Sequence, residues 1–425
     1  MDTQERKLTR ESVSIVPNAI IKYVLKSEIL PKAVKKRKVG EDKSPIPFPV
    51  WVIDGFARNF AQTYADRLEP SVVAFYISAL TCLGSVLAGN VRMNTELKTD
   101  PRLYVLFIGE SGKGKKSSAA KFTIDFFKDR VRAFRVCKGA GSAEGLFNEI
   151  NAVKWDRRLL LFYDEFQQFV NKCKIESSVL LQMVNILFED NSYESPLKKS
   201  KMKLDNAYLT MLSASTEETY DDCWTASFTN IGFNNRMFIV PIRSVREHSL
   251  PKAIDPVDKE RLWGELEAIL GMVGGEGMVY DITEDAYEYY DRWYLTMKET
   301  KHSVRIDTYA LRLMPLLAAN EMKTIIDIDI VKKVVAICGW QIKIRQRYEP
   351  VAVDNQYASM EAKIRKVLLE RDMTRGEIQR ATNGYRFGIK TLINAIGNLC
   401  TMGEVEYDSN SDTYRLVNEN IRDTF

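Results

Sequence analysis

Residues 103–118 read LYVLFIGESGKGKKSS, an apolar strand that runs into a glycine-rich turn ending in lysines and serines. The turn contains Gly109, Gly112 and Gly114, which lack side chains and so let backbone N–H groups approach a polyphosphate. A lysine supplies positive charge, a hydroxyl can hold Mg²⁺, and the N-terminus of a following helix attracts the anion. The stretch therefore predicts a strand, a phosphate-binding loop and a helix in succession.

The match to the pattern G-x-x-x-x-G-K-[ST] fails at one position. Gly109, Gly114 and Lys115 fit, but Lys116 stands where the hydroxyl belongs, and Ser117 comes one residue late. Two interpretations stay open: Lys116 and Ser117 serve after a one-residue insertion, or Lys115 serves with a displaced hydroxyl. In both cases we expect a nucleotide to bind here.

The composition is that of an ordinary soluble protein of two or three domains, because 425 residues that are 45% hydrophobic can bury a large core. The net charge of +4 is mild, so nucleic-acid binding has to come from local basic clusters. Six cysteines without a C-x-x-C pair, with only two histidines, disfavour a metal site and a disulfide framework. They favour a reducing cytoplasm.

Residues 72–89 are almost free of charge and about long enough to span a bilayer. The stretch carries Tyr76, Ser78 and Thr81, lacks the basic and aromatic flanks of a membrane helix, and leads to the strand before the glycine-rich turn. We therefore expect a buried helix and no membrane partner.

Composition and periodicity divide the chain into four parts. Residues 1–44 hold an amphipathic stretch and a cationic run, which is typical of a solvated linker, with nuclear localisation or nucleic-acid contact as the alternative. A proline-rich segment then opens residues 45–245, where helical stretches alternate with short apolar strands and predict a parallel sheet flanked by helices. Residues 246–350 are expected to form a helical lid, and residues 357–420 a separate C-terminal domain.

A second apolar strand, at residues 159–163, ends in Asp164 and Glu165. At the tip of a buried strand that faces a nucleotide, Asp164 would hold Mg²⁺ and its water shell, and Glu165 would polarise the attacking water. Such a pair is common by chance, but its place after the glycine-rich turn predicts ATP binding with hydrolysis.

A third strand, at residues 207–216, ends in small hydroxyl residues. Ser215 or Thr216 could position a water near the γ-phosphate, and a plain helix cap is the equally simple alternative. Arg236 stands just before another apolar strand, where an arginine can reach the phosphate of a neighbouring subunit. Taken alone, such an arginine is more often solvated.

In this order the features resemble the AAA+ type P-loop proteins of bacterial mobile elements and phages, a primase-helicase-associated family with a core similar to MCM replicative helicases. The resemblance covers residues 45–350. It rests on residues 45–49, the long apolar helix, the turn, and residues 141–146, 163–166 and 232–240. Because family members with a basic pair in the turn exist, the resemblance favours Lys116 as the phosphate lysine, with Ser117 or Ser118 near the metal.

The resemblance also implies roles for arginines. Arg236 matches the arginine finger of MCM-like ATPases, which acts across the subunit interface of a ring. Residues 305–319 resemble their second sensor helix, which makes Arg305 the nucleotide-facing residue and Arg312 the second candidate. Pro315 departs from an ideal helix pattern. The expected assembly is a homo-oligomeric ring with ATP between subunits.

The last part of the chain predicts a winged-helix domain. Helices are expected at 360–370, at 374–382 after a capping box, and at 388–402, followed by a hairpin over residues 403–417. Four basic residues on the second and third helices can face DNA phosphates, with a solvated or protein-binding face as the alternative. They are Arg375, Arg380, Arg386 and Lys390.

These features predict a motor ATPase, helicase-like, that uses ATP and Mg²⁺ on DNA in the replication or mobilisation of a phage or mobile element. Residues 191–204 are a candidate DNA-contacting loop or a solvated turn, and carry Lys198, Lys199, Lys201 and Lys203. The alternative function is an ATP-gated DNA-binding or initiator protein without translocation. A small-molecule P-loop kinase is disfavoured by the Asp-Glu strand and the winged helix.

Overall fold

The computed structural model describes residues 46–97, 99–110, 115–195, 202–224, 228, 232–243, 250–349, 356–382, 384–385 and 388–417. Several predictions from the sequence fall outside these residues. They are those on residues 1–44 and on Gly112, Gly114, Lys198, Lys199, Lys201 and Arg386.

A parallel sheet of five strands lies at the centre of the described chain. The strands of all the described residues, in chain order, are β1 (Val91–Met93), β2 (Tyr104–Gly109), β3 (Val136–Lys138), β4 (Arg158–Tyr163), β5 (Tyr193–Glu194), β6 (Lys203–Leu204), β7 (Tyr208–Thr216), β8 (Phe238–Pro241), β9 (Met278–Tyr280), β10 (Val405–Asp408) and β11 (Thr413–Leu416), and five of these form the central sheet. The central sheet has the order β3-β4-β7-β2-β8, and all its pairings are parallel. Because helices cover both faces, β2 is buried along its whole length and can be apolar throughout.

Helices flank this sheet. In chain order, the α-helices of the described residues are α1 (Gly55–Ala65), α2 (Val72–Leu87), α3 (Lys116–Arg130), α4 (Ala143–Asn151), α5 (Phe166–Cys173), α6 (Leu180–Glu189), α7 (Glu217–Cys223), α8 (Pro256–Val273), α9 (Glu284–Thr296), α10 (Ile306–Asn320), α11 (Ile328–Arg347), α12 (Gln356–Leu368), α13 (Arg375–Ala381) and α14 (Ile389–Thr401). The predicted α/β class, with a central parallel sheet flanked by helices, is confirmed.

Helix α2 is the predicted apolar helix, and the prediction that it is buried is confirmed. It begins after Ser71, whose hydroxyl accepts a hydrogen bond from the Ala74 N–H and so caps the helix. Nearly all of its residues are buried, and it packs between α1, α3 and the sheet. No helix in the described part of the chain is long and apolar enough to cross a membrane.

Helices α8 to α11 add to the same hydrophobic core as the sheet. Tyr309 of α10 packs against the strands. Its hydroxyl donates a hydrogen bond to the backbone oxygen of Arg236, and the centre of its ring lies 5.4 Å from that of Phe238. Trp340 of α11 packs on Phe238 and Phe48. The region expected as a lid therefore packs tightly against β8.

The C-terminal elements surround a core of their own. Helices α12, α13 and α14 and the antiparallel β10–β11 hairpin occur where the sequence predicts three helices and a hairpin, and they enclose Ile364, Ile378 and Leu392. The predicted capping box is confirmed, because the Thr374 hydroxyl and the Glu377 carboxylate each accept a hydrogen bond from the other residue's N–H.

Candidate functional site

The carboxyl ends of β2, β4 and β7 meet at one edge of the sheet, which we call the carboxyl edge. Gly109 of β2 pairs in register with Thr216 of β7, and Tyr163 of β4 pairs with Ser213. The residues that follow these strands lie side by side, because parallel strands end at the same edge. In open α/β sheets, ligands bind in the crevice at this edge. The structure thus brings the end of β2, at Gly109, together with Asp164 and Ser215.

Gly109 is required by the neighbouring backbone. A Cβ atom at this position would lie 2.2 Å from the carbonyl oxygen of Ile242, just beyond β8. The Ile242 N–H also donates to the Ile108 carbonyl at 2.6 Å, which holds the two chain segments together. The first glycine of the turn therefore has a packing reason in addition to the phosphate contact expected from the sequence.

Lys115 and Lys116 face different environments. Lys115 is exposed and adopts the left-handed conformation, with φ 45° and ψ 30°, immediately before α3. Lys116 is the first residue of α3 and is only 8% exposed. Its Nζ donates to the carbonyl oxygens of Gly109 and Glu110, at 2.9 and 3.0 Å. The ammonium of Lys116 thus lies against the backbone at the end of β2.

Burial lowers the pKa of Lys116, because it disfavours the charged form, and Glu217 and Glu110 oppose that shift. Its hydrogen bonds go to uncharged carbonyls, and no salt bridge to it is found within the described ranges. A buried ammonium of this kind, at the N-terminus of a helix, is suited to receiving an anion.

Ser117 and Lys121 both contact Asp164. The Ser117 hydroxyl donates to the Asp164 carbonyl oxygen at 3.4 Å, and Lys121, one turn later on α3, has its Nζ 2.5 Å from Asp164 Oδ2. Burial raises the pKa of Asp164, but the hydrogen bonds from Lys121 and Ser117 outweigh it and hold the pKa below its usual value. Lys121 is not among the site residues predicted from the sequence, although its i, i+4 spacing from Ser117 places both side chains on one face of α3.

Ser118 is partly exposed, and its N–H donates to the Lys115 carbonyl in the first turn of α3. Between the two serines proposed for the metal, Ser117 is therefore the one that reaches Asp164. Glu165 is exposed directly after Asp164 and precedes α5 without capping it. Its carboxylate is accessible at the carboxyl edge.

The two hydroxyl residues at the end of β7 have separate partners. The Thr216 hydroxyl accepts from the Thr219 N–H at 3.0 Å and caps α7, which is the helix-cap alternative. Ser215 is buried, and its hydroxyl donates to the Thr216 carbonyl at 3.1 Å. Ser213, on the same strand, donates to the Tyr163 carbonyl and ties β7 to β4.

Arg236 and Arg305 lie together at the opposite end of the sheet, which we call the amino edge. Arg236 lies two residues before β8, whose first residues pair with the start of β2. Its Nε lies 3.2 Å from Glu189 Oε1, and Arg305 forms an ion pair with that same oxygen. Burial and then Arg305 lower the pKa of Arg236, while Glu189 raises it. Glu189 is not among the site residues predicted from the sequence.

Arg312 is enclosed in the core. Its guanidinium donates to the backbone carbonyls of Arg102 and Phe188 and lies over the Phe188 ring, 4.0 Å from the centroid. Burial lowers its pKa to about 10. Arg312 therefore supports the fold at the amino edge, and of the two sensor candidates Arg305 is the accessible one.

The described basic residues proposed for DNA are on the surface. Arg375, Arg380 and Lys390 are exposed on or beside α13 and α14. Lys203, of the predicted DNA-contacting loop, lies in β6, which pairs with β5 to form the base of a hairpin. The structure thus gives that loop a hairpin base.

No protein-family model matches the chain, and no curated protein is significantly similar to it. Within the described residues, no group of three or more His, Cys, Asp and Glu side chains could hold a metal ion. A Mg²⁺ at Asp164 would depend on a hydroxyl, waters and the phosphates of a nucleotide for its other ligands, as Mg²⁺ commonly does.

Proposed function

We propose that the chain is an ATP-hydrolysing, helicase-like motor that acts on DNA in the replication or mobilisation of a phage or other mobile element. One observation carries the proposal: Lys116, Ser117 and Asp164 meet at the carboxyl ends of neighbouring parallel strands, next to the start of α3. That arrangement supplies a cation, a hydroxyl and a carboxylate where a nucleoside triphosphate with Mg²⁺ needs them.

Each residue at the carboxyl edge has a role in this proposal. Lys116 binds the phosphates, since its ammonium can exchange two uncharged carbonyls for anionic oxygens. Ser117 and Asp164 would hold Mg²⁺, which supplies charge neutralisation for the phosphates when it is bound. Glu165, exposed beside them, orients a water and accepts its proton. Lys115, also exposed, adds positive charge at the mouth of the site.

The residues present fit this ligand. Lys121 pairs with Asp164, so that the carboxylate already attracts a cation. Lys116 has a lowered pKa because its charge is buried, and a phosphate group would relieve that cost. The contacts favour the interpretation in which Lys116 and Ser117 act after a one-residue insertion, with Lys115 outside the immediate contact.

The placement of Arg236 and Arg305 supports an assembly of several copies. Both lie at the amino edge of the sheet, whereas Lys116 and Asp164 lie at the carboxyl edge of the same sheet. A phosphate on Lys116 is thus remote from both arginines of its own chain. Together with the resemblance to MCM-like ATPases, this favours a ring in which these arginines serve a neighbouring copy.

The DNA-binding part of the proposal is supported by the C-terminal elements. Three helices and a hairpin with a separate core form the succession expected of a winged helix, and Arg375, Arg380 and Lys390 are exposed on it. Such residues can neutralise DNA phosphates without reading sequence.

ATP turnover with and without single-stranded DNA tests the proposal. We expect turnover stimulated by DNA, and Glu165→Gln should reduce it by roughly 10²- to 10⁴-fold while ATP still binds, because the water loses its base. Glu176→Gln, at an exposed glutamate after α5, is the matched control and should turn over ATP like the wild type. Unchanged turnover in Glu165→Gln would contradict the assignment.

Strand separation distinguishes the motor from the ATP-gated alternative. A motor couples turnover to unwinding of a fluorescently labelled DNA duplex. ATP-dependent retention of DNA with negligible turnover would instead identify a switch without translocation.

A further inference from the structure

Glu189, the last residue of α6, has its carboxylate shared by two arginines. Oε1 lies 3.2 Å from Arg236 Nε and pairs with Arg305 as well. The side chain of Arg236 is 9% exposed, that of Arg305 30% and that of Glu189 37%. The cluster thus extends from a buried guanidinium to a carboxylate that solvent reaches.

One carboxylate neutralises only one of two guanidinium groups. Burial of one arginine beside another cation is unfavourable unless an anion is present, and Glu189 supplies that anion in the isolated chain. A surplus positive charge nevertheless remains at the amino edge. The open side of Arg305 and Glu189 lets a second, stronger anion approach.

We propose that Glu189 is an internal competitor, which occupies Arg236 and Arg305 until the phosphates of ATP bound to a second copy of the chain displace it. The proposal rests on the proposed function. It commits to a second copy because the chain's own nucleotide site lies at the other edge of the sheet. A polyphosphate carries more negative charge than one carboxylate and can serve both guanidinium groups at once.

The competition predicts how strongly copies associate. Glu189→Gln removes the competing charge and keeps the size of the side chain, so ATP-dependent association should tighten by roughly 5-fold, the scale of one partly exposed ion pair. We would measure association by analytical ultracentrifugation with ATP and Mg²⁺, in the Glu165→Gln background so that ATP persists. Glu194→Gln, at an exposed glutamate on β5, is the matched control and should leave association unchanged.

Double variants test whether Glu189 affects association through Arg236 and Arg305. Adding Arg236→Ala or Arg305→Ala to Glu189→Gln should abolish the tightening, because the arginine that Glu189→Gln sets free is then absent. ATP binding by the dissociated chain should be the same for wild type and Glu189→Gln, since Glu189 lies away from the chain's own site. Tightening that persists in both double variants would overturn the proposal.

Unchanged or weakened association of a folded Glu189→Gln protein would also overturn it. If that variant does not fold, as judged by thermal unfolding, Glu189→Asp retains the charge on a shorter side chain and should still tighten association, by less. Failure of both variants to fold would show that Glu189 is structural. A wild type that binds no ATP refutes the proposed function itself, whereas normal ATP binding without tightening refutes only the competition.

Discussion

The carboxyl and amino edges of the central sheet both hold buried basic side chains, but they satisfy them differently. Lys116 donates to two uncharged carbonyls, whereas Arg236 and Arg305 share the carboxylate of Glu189. The two carbonyls bear no net charge, whereas the carboxylate adds the attraction of a full negative charge to its hydrogen bonds and repels another anion. An incoming phosphate therefore meets little resistance at the carboxyl edge and a competing anion at the amino edge.

The two edges have a backbone feature in common. Lys115 and Arg305 each adopt the left-handed conformation at the residue before a helix, with φ 45° and 63°. For residues other than glycine this conformation costs roughly 1–2 kcal/mol. Such costs are often found at functional sites. Here Lys115 directly precedes the proposed phosphate lysine, Lys116, and Arg305 is itself a proposed phosphate contact.

The largest expected effect comes from two variants, one that lacks the arginine of the amino edge and one that lacks the lysine of the carboxyl edge. Arg236→Ala and Lys116→Ala should each reduce ATP turnover by roughly 10³-fold or somewhat less, since one lacks the arginine and the other the phosphate lysine. Mixed in equal amounts, they should recover about a quarter of wild-type turnover, because random assembly pairs intact arginines with intact loops at that frequency. Turnover that stays at the level of the single variants would show that the edges do not meet across copies.

A second effect separates the two lysines of the turn. Lys116→Ala should weaken ATP binding and reduce turnover by roughly 10²-fold or more, because it removes the buried ammonium. Lys115→Ala should reduce turnover by less than about 10-fold, since the Lys115 side chain is exposed. Equilibrium binding of a fluorescent ATP analogue and steady-state turnover measure both. The reverse order would assign the phosphate to Lys115.

A third effect is the pH dependence of binding at the carboxyl edge. The pKa of Lys116 lies below its usual 10.5, so Lys116 loses its proton at a lower pH than an exposed lysine does. ATP affinity should fall as pH rises through this window, and Lys116→Arg should flatten the fall because a guanidinium stays protonated. Fluorescence titrations from about pH 7 to about pH 10 test this. Lys115→Arg, the control, should keep the wild-type slope.

Folding stability has the opposite pH dependence at this residue. The unfolded chain binds the Lys116 proton more tightly than the folded one, so this contribution to stability rises with pH within the same window.

The smallest effect concerns Lys121, whose ammonium forms an ion pair with Asp164, as Glu189 does with the two arginines. Lys121→Gln should lower the Mg²⁺ concentration for half-maximal nucleotide binding by roughly 2- to 5-fold, because both partners are half exposed and such pairs are weak. Lys128→Gln, on the same helix, is the control and should leave the midpoint unchanged. A higher Mg²⁺ requirement in Lys121→Gln would show that Lys121 assists the metal.

The sequence predicted the elements whose signals are local. The apolar run of α2, the capping box at Thr374 and the apolar strand before Asp164 each depend on neighbouring residues, and each occurs as expected. Periodicity and capping depend on residues close together in the chain, so they can be predicted from a single sequence.

What the sequence missed depends on contacts between distant residues. Glu189 meets Arg236 and Arg305 only because α6, β8 and α10 converge, and no spacing along the chain encodes that. Arg312 belongs to the same predicted sensor helix as Arg305, yet the packing of α10 directs the Arg312 side chain into the core. Strand order decides which residues share an edge, and that order comes from the whole fold.

The separation of the two edges also restricts the symmetry of any assembly built on them. A two-fold axis would complete both sites only if two copies lay side by side and antiparallel, so that the arginine pair of each copy reached Lys116 of the other. In any other arrangement the copies follow one another head to tail, and an open series leaves one phosphate loop and one arginine pair without a counterpart at its ends. Only closure by rotation gives every Lys116 an arginine pair, and an unclosed series would contain one active site fewer than it has subunits.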